Sequence, residues 1–303
     1  MNENKIADII KKTCQKLDLN LKGQTVLTEA ANYCYAATAC IPAYAGAEVY
    51  AYAEDNKYSS KKEAINDVEK LAEELGVEKK ITFIDDIYKK LGKADIITNS
   101  YSLRPLNEKK LSRLKPGAKV LLMYEKWEKR DEDIDYEFCK ENNIIVIPTD
   151  EHYGEINVFD YVGLITVKFL LENNYSILRD TITIIGSDNF GETVVKYLKN
   201  NGAHIKQVRN SNDYEMFKDS GLFIYCDYFN EIDISWEKVK KINPNGNLFP
   251  LLGMKNYSDL MKNNILIINN IMPDYQKMAC TFDYLGCKPV VEIISLSFKG
   301  ATQ

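Results

Sequence analysis

Short, almost uninterrupted apolar runs that alternate with segments of helical period constrain this chain most. In the first half, Thr25–Thr28, Glu48–Ala53, Ile81–Ile84, Ala94–Asn99, Ala118–Tyr124 and Ile144–Pro148 read as strands. Between them, the small-residue run from Glu29 to Gly46 and residues 60–76, 85–92, 107–114 and 131–142 read as helices. A strand packed on one face alternates apolar and polar residues, whereas a strand covered on both faces is apolar throughout. Runs of the second kind, each followed by a helix, imply a parallel sheet sandwiched between helices. The pattern starts again at Thr181–Ile185 and continues through Ala203–Val208, Leu222–Cys226, Asn247–Leu252, Ile265–Ile268 and Pro289–Ile294.

The expected fold class is therefore α/β, with two tandem Rossmann-like parallel-sheet domains, the first flavodoxin-like and the second like an NAD(P)-binding unit. At 303 residues the chain exceeds one average domain. Such a length buries roughly 75% of its unfolded surface without staples. The expected division is 1–154 for a substrate domain, 155–178 for a connecting helix and 179–303 for a nucleotide-binding domain. Residues 156–172 are apolar on several sides and are expected to pack between the halves. Ile6, Ile9, Ile10, Cys14 and Leu17 make one buried stripe on an N-terminal helix. Gly76 suits a helix C-cap, and Pro42 implies a kink or a late helix start.

A net charge of −5 leaves no basic surplus for phosphate neutralisation, which argues against a nucleic-acid partner. No apolar stretch approaches the roughly 20 residues of a membrane span. The opening MNENKIADIIKK lacks the apolar run of a signal peptide, so a cytoplasmic location is expected. The seven cysteines are odd in number and show no CxxC spacing, so free thiols packed as small hydrophobes are expected. With two histidines and neither beside a cysteine pair, no metal site is expected. The apolar, aromatic segment 265–298 is the expected surface of a C2 homodimer.

In open parallel sheets ligands bind beyond the carboxyl ends of the strands, where the strand order reverses. In the second half this rule selects Gly186, Ser187, Asn189, Phe190 and Gly191, between a strand and a helix start whose backbone N–H groups suit a phosphate. The pattern is G-x-D-x-x-G, with Asp188 where a dinucleotide fingerprint has its second glycine. Dinucleotide binding and a bare scaffold both remain open. Arg209 and Asn210 end the next strand, where a ribose 2′-phosphate would lie, so NADP is preferred to NAD; an exposed turn arginine is the alternative. In the first half, Asn99, Ser100 and Arg104 follow a strand directly and suit a carboxylate or phosphate, against a plain solvated loop. Tyr124 and Trp127 complete the substrate-binding candidates. Glu29 leaves a buried strand beside alanines, where desolvation raises a carboxyl toward acid–base use; capping the next helix is its alternative role. His152, flanked by Asp150 and Glu151, is the other acid–base candidate, against an ordinary surface histidine.

Residues 94 to 208 resemble the D-isomer-specific 2-hydroxyacid dehydrogenase family. The similarity runs through ADIITNS, LKPGAKVLLMYE, the Asp133-Ile-Asp135 turn, ENNIIVIPT, the helix VFDYVGLITVKFLL and the strand–Gly–helix unit. It covers about a third of the chain closely and the architecture loosely; the two-Rossmann plan of adenosylhomocysteine hydrolases is a more distant comparison. The resemblance implies an NAD(P)-binding oxidoreductase-like protein acting on a small anionic metabolite in an interdomain cleft. The family's histidine in a Pro-His setting has no counterpart, and Tyr124-Glu-Lys-Trp127 stands where its Gly-Gly turn would be. Two other readings stay open: a non-redox enzyme performing acid–base chemistry on a nucleotide-like or sugar substrate, and a non-catalytic ligand-binding homologue.

Overall fold

In the computed structural model, which describes residues 5–128 and 130–302, every strand expected from the sequence forms except the last. The first unit opens with α1 (Ile6–Lys16), β1 (Thr25–Glu29), α2 (Ala37–Tyr44), β2 (Glu48–Tyr52), α3 (Lys61–Leu75) and β3 (Ile81–Ile84). It continues with β4 (Ile96–Thr98), α4 (Glu108–Leu111), β5 (Lys119–Leu121), α5 (Tyr136–Glu141) and β6 (Ile145–Ile147). The sheet order is β3-β2-β1-β4-β5-β6, all parallel. The order reverses between β1 and β4, so the ends of those strands open toward the place where such sheets bind ligands.

Local chemistry explains the helices. α3 starts in a capping box, where Ser60 accepts the Glu63 N–H and the Glu63 carboxylate accepts the Ser60 N–H. It ends at Gly76 in the left-handed conformation, φ 70°. The small residues Ala37, Ala39, Cys40 and Ala43 let α2 pack buried along all but its last residue, the exposed Tyr44. Pro42 lies inside α2, which begins late, after a separate turn at Tyr33–Ala36. Residues 85–92, expected to be one helix, form two single turns, Ile87–Lys89 and Leu91–Lys93.

The second unit contains α6 (Phe159–Glu172), β7 (Thr181–Ile185), α7 (Asn189–Asn200), β8 (His204–Val208) and β9 (Leu222–Tyr225). It ends with α8 (Trp236–Ile242), β10 (Asn247–Pro250), α9 (Ser258–Lys262) and β11 (Leu266–Ile267). Its parallel sheet runs β11-β10-β9-β7-β8. α6 packs on α7 and stacks Phe169 on Phe249 of β10, centroids 3.9 Å apart. No helix among the described residues is long and apolar enough to cross a membrane.

The chain parts into 1–158 with 286–303, and 159–285. This moves both expected boundaries. The 159–172 helix packs as part of the second unit, and the last eighteen residues return to the first. The expected strand Pro289–Ile294 is instead part of α10 (Cys287–Gly300). Its β-branched residues read as strand by propensity, but Val290, Val291, Ile294 and Phe298 fall on one buried helical face, against α1 and α2. Pro289 sits in the first turn, where no backbone donor is needed. The last part of the segment expected to form a dimer surface, residues 287–298, is therefore a helix packed into the first unit.

The expectation of seven free thiols is also corrected. Cys34 and Cys287 form a disulfide across 253 residues of sequence. The turn after β1 holds Cys34, and the return of α10 brings Cys287 to a Cα distance of 5.0 Å. Cys14, Cys40, Cys139 and Cys226 are buried thiols and Cys280 is partly exposed.

Candidate functional site

At the carboxyl edge of the first sheet, the topology sets the ends of β1, β4, β5 and β6 side by side. Glu29 ends β1 and is 8% exposed. Its carboxylate accepts the Ser102 N–H at 2.9 Å, so it caps the turn after β4 and not the helix that follows β1. Burial pushes this carboxyl above its ordinary value, against the Ser102 hydrogen bond and the nearby Arg104 charge.

Arg104, expected to face a ligand, is committed inside the protein. Its Nε and Nη2 donate to the Asn99 carbonyl at 3.0 and 2.8 Å, and Nη1 lies 3.1 Å from Asp133 Oδ2. Asp133 Oδ2 accepts no aligned hydrogen bond, so that contact is ionic in character. Asn99 is fully buried and donates to Tyr124 Oη at 3.1 Å, which in turn pairs with Tyr136 Oη at 3.1 Å. Ser100 Oγ closes a buried hydroxyl chain with Thr98 and Thr28, at 2.9 and 2.7 Å. Asn99 and Ser100 thus organise the strand ends and present no polar atom outward. The reason is the same for both: each follows the strand by too few residues to leave the core. Tyr124 is also buried, which pushes its phenol far above the ordinary value. Trp127 is half-buried in a turn at Lys126–Glu128. His152 is exposed, and its N–H donates to Asp150 Oδ1 at 3.0 Å.

The residue that sequence reasoning passed over is the neighbour of His152. Glu151 is 7% exposed, and its carboxyl is pushed up to about 8. Burial is the main cause, the Glu128 and Glu125 carboxylates add to it, and Arg130 opposes it. Glu125 Oε1 accepts the Glu151 N–H at 2.9 Å, and Glu128 accepts from Arg130 and from the Glu125 N–H. Arg130 lies over the Tyr124 ring, 4.5 Å from its centroid. A polar chain thus links Glu29, Arg104, Asn99, Tyr124, Arg130 and Glu128 to Glu151. The signal in the sequence was three glutamates placed just after two strands that prove adjacent. Among the described residues, no group of three or more His, Cys, Asp or Glu is placed to hold a metal ion.

In the second unit, the turn after β7 is built on two glycines. Gly186 has φ +146°, and a Cβ there would stand 2.8 Å from the Cys226 carbonyl. A Cβ on Gly191 would stand 2.5 Å from Gly186 O, so the helix approaches the strand closely. Between them Asp188 caps α7. Its Oδ1 accepts the Phe190 and Gly191 N–H groups at 3.0 and 3.1 Å, and Oδ2 accepts the Tyr228 N–H at 2.8 Å. The expectation of open N–H donors along Gly186–Gly191 is corrected at Phe190 and Gly191, because the chain's own carboxylate fills them. The Phe190 ring is buried between Phe159 and Tyr228, and only Ser187 and Asn189 are exposed. Arg209, at the end of β8, bonds Glu192 Oε1 and Gln207 Oε1, both at 2.7 Å. The Arg209 and Asn210 N–H groups both donate to Asp213 Oδ2, at 2.9 and 3.1 Å. His204 opens β8, at the end of the sheet away from this turn.

No family model matches the chain, and no curated protein matches it in sequence. Solved structures do. A dipicolinate synthase chain from Bacillus subtilis superposes with a TM-score of 0.61 at 10% identity, over 94% of this chain and 97% of its own. Its Bacillus halodurans counterpart, also a dipicolinate synthase chain, gives 0.59 at 10%, over 91% and 96%. A Salmonella D-lactate dehydrogenase gives 0.50 at 11%, over 92% and 96%. The chain has the fold of the D-2-hydroxyacid dehydrogenases. At these identities the likeness is one of backbone architecture. In the dehydrogenase fold seen here the first and third glycines of the β7–α7 turn keep their packing roles, and the second is replaced by a carboxylate that caps the helix.

Proposed function

We propose that the protein is an oxidoreductase-like enzyme that takes a nicotinamide dinucleotide on its second unit and acts on a small anionic metabolite. The observation that supports this reading is the glycine-built turn between β7 and α7, in a chain that follows the dehydrogenase fold along nearly its whole length. Exposed Ser187 and Asn189 leave backbone for a phosphate, and Arg209 stands where a ribose 2′-phosphate would lie, which favours NADP over NAD. Asp188 opposes the fit, because a diphosphate must displace its carboxylate from the Phe190 and Gly191 N–H groups. When bound, the cofactor supplies hydride chemistry; the chain's own part is to hold the nucleotide and to manage protons.

Thermal unfolding with added NADP or NAD tests this. A dinucleotide present at 100 times its Kd adds about 2.7 kcal/mol of stability. NADP should stabilise the wild type more than NAD does. Asp188→Gly should strengthen binding, and Arg209→Ala should lose about tenfold of the NADP preference. If neither nucleotide shifts the transition in wild type or Asp188→Gly, the oxidoreductase reading falls. The second reading, non-redox acid–base chemistry on a nucleotide-like or sugar substrate, then takes its place. Asp188 filling the helix N-terminus is the observation that favours it.

A cytoplasmic homodimer belongs to the same proposal, its surface reduced to 265–285, where Leu266, Met272 and Tyr275 are exposed. Light scattering should give twice the 34.7 kDa chain mass; a monomer mass removes the dimer.

A further inference from the structure

Glu151 differs from Glu29, Glu125 and Glu128 in having nothing to hold. Glu29 accepts an N–H from Ser102, Glu125 accepts one from Glu151, and Glu128 accepts from Arg130 and from the Glu125 N–H. No hydrogen bond to the Glu151 carboxyl exists among the described residues, although the residue is more than nine-tenths buried. Its backbone is pinned on both sides, by the N–H donated to Glu125 and by its carbonyl, which accepts the Val158 N–H at 2.9 Å. Among the described residues, the charges that act on the side chain are the carboxylates of Glu128 and Glu125 and the guanidinium of Arg130. Neither Glu151 oxygen is among the fully enclosed unpaired side-chain atoms of the described residues, so the carboxyl reaches the surface while the rest of the residue is buried. A pinned carboxyl that no protein donor holds, set beside two carboxylates with its oxygens at the surface, is an arrangement that keeps a proton available for exchange.

We propose that Glu151 is the acid–base group of the first unit, exchanging a proton between its carboxyl and an oxygen of a small ligand at the ends of β5 and β6. In the donating direction the Glu151 O–H bond breaks, a new O–H bond forms on the ligand oxygen, and Glu151 is left as a carboxylate facing Arg130. No electrons change hands at this residue, and water restores the proton after the ligand leaves. The reverse transfer takes the proton from a ligand hydroxyl. This deepens the proposed function, resting on the reading that substrate chemistry belongs to the first unit. It gives the proton-handling role to a carboxyl in a chain that has no Pro-His segment.

Dicyclohexylcarbodiimide, a small apolar reagent that adds to protonated carboxyl groups, tests the assignment on the native protein without cofactor. Mass mapping near pH 7 should find the adduct on Glu151, at a rate that falls about tenfold by about pH 9, above the group's value of about 8. Hydrogen-bonded Glu29 serves as the internal comparison and should label more slowly. Glu151→Gln should remove the adduct. Labelling of Glu151 only after unfolding would make it a sealed structural group and overturn the proposal, as would a rate independent of pH. A protein that binds no dinucleotide yet labels at Glu151 loses the oxidoreductase reading and keeps this one. A protein that binds NADP and leaves Glu151 unlabelled does the opposite.

Discussion

Raising the pH from about 5 to about 9 should cost this protein on the order of 4 kcal/mol of stability, and Glu151→Gln should remove most of that loss. The carboxyl has an ordinary value of 4.5 and stands at about 8 in the fold. Below pH 4.5 it is protonated in both states and contributes no difference. Between 4.5 and 8 the folded chain binds the extra proton, so stability falls as the pH rises. Each tenfold gain in proton affinity is worth about 1.4 kcal/mol, which bounds the effect near 5 kcal/mol. Arg130 lowers the value and Glu125 and Glu128 raise it, so loss of Arg130 should enlarge the effect. Glutamine keeps the shape without the charge. The variant should therefore match wild type near pH 5 and exceed it near pH 9, in urea unfolding followed at both values. Equal slopes for the two proteins would place the ionised form of Glu151 comfortably in the fold and refute the expectation.

Breaking the Cys34–Cys287 bond should destabilise the first unit by about 3–5 kcal/mol. The bond closes 253 residues, and cross-linking gains stability with the logarithm of the loop it closes in the unfolded chain. The second unit lies inside that loop; where it stays folded while the first unit opens, the effective loop shortens and the gain moves toward the lower figure. α10 is the element released. Its buried Val290, Val291, Ile294 and Phe298 then hold it by packing alone. Cys287→Ser and reduced wild type should show the same loss, with amide exchange rising first across 287–300. Denatured, unreduced protein should titrate five thiols, since Cys14, Cys40, Cys139, Cys226 and Cys280 lie outside the bond. Seven thiols before reduction would refute the bond.

Much of the candidate site was visible as a set of strand ends, but not as a set of roles. Glu29 was legible because a carboxylate directly after Val26, Leu27 and Thr28 has no route to solvent. Arg104 was legible as a charge after a strand, but its partners were not. Asp133 lies in a turn 29 positions further along, and only the β4–β5 pairing and the parallel bridge between Leu106 and Ile134 bring the two together. Glu151 was hidden for a related reason. Desolvation and the charges of Glu125 and Glu128 set its proton affinity, and those residues follow a different strand. In the second unit, the G-x-D-x-x-G spacing marked the turn, while the direction in which Asp188 points is a matter of backbone geometry.

The sequence by itself determined most of the elements: the parallel strands of both sheets, the capped helix from Lys61 to Leu75, and the glycine turn at 186–191. These follow from interactions among residues a few positions apart, which apolar periodicity and capping chemistry report directly. Only the tertiary structure decided where α10 belongs, that Cys34 meets Cys287, and that Asp188 fills its own helix terminus by reaching Tyr228 as well. It also decided the order β3-β2-β1-β4-β5-β6 that sets Glu151 beside Glu125. Each of these depends on contacts between segments far apart in the chain, whose energies come from burial and from charge in a low-dielectric setting. No local pattern of residues carries that information.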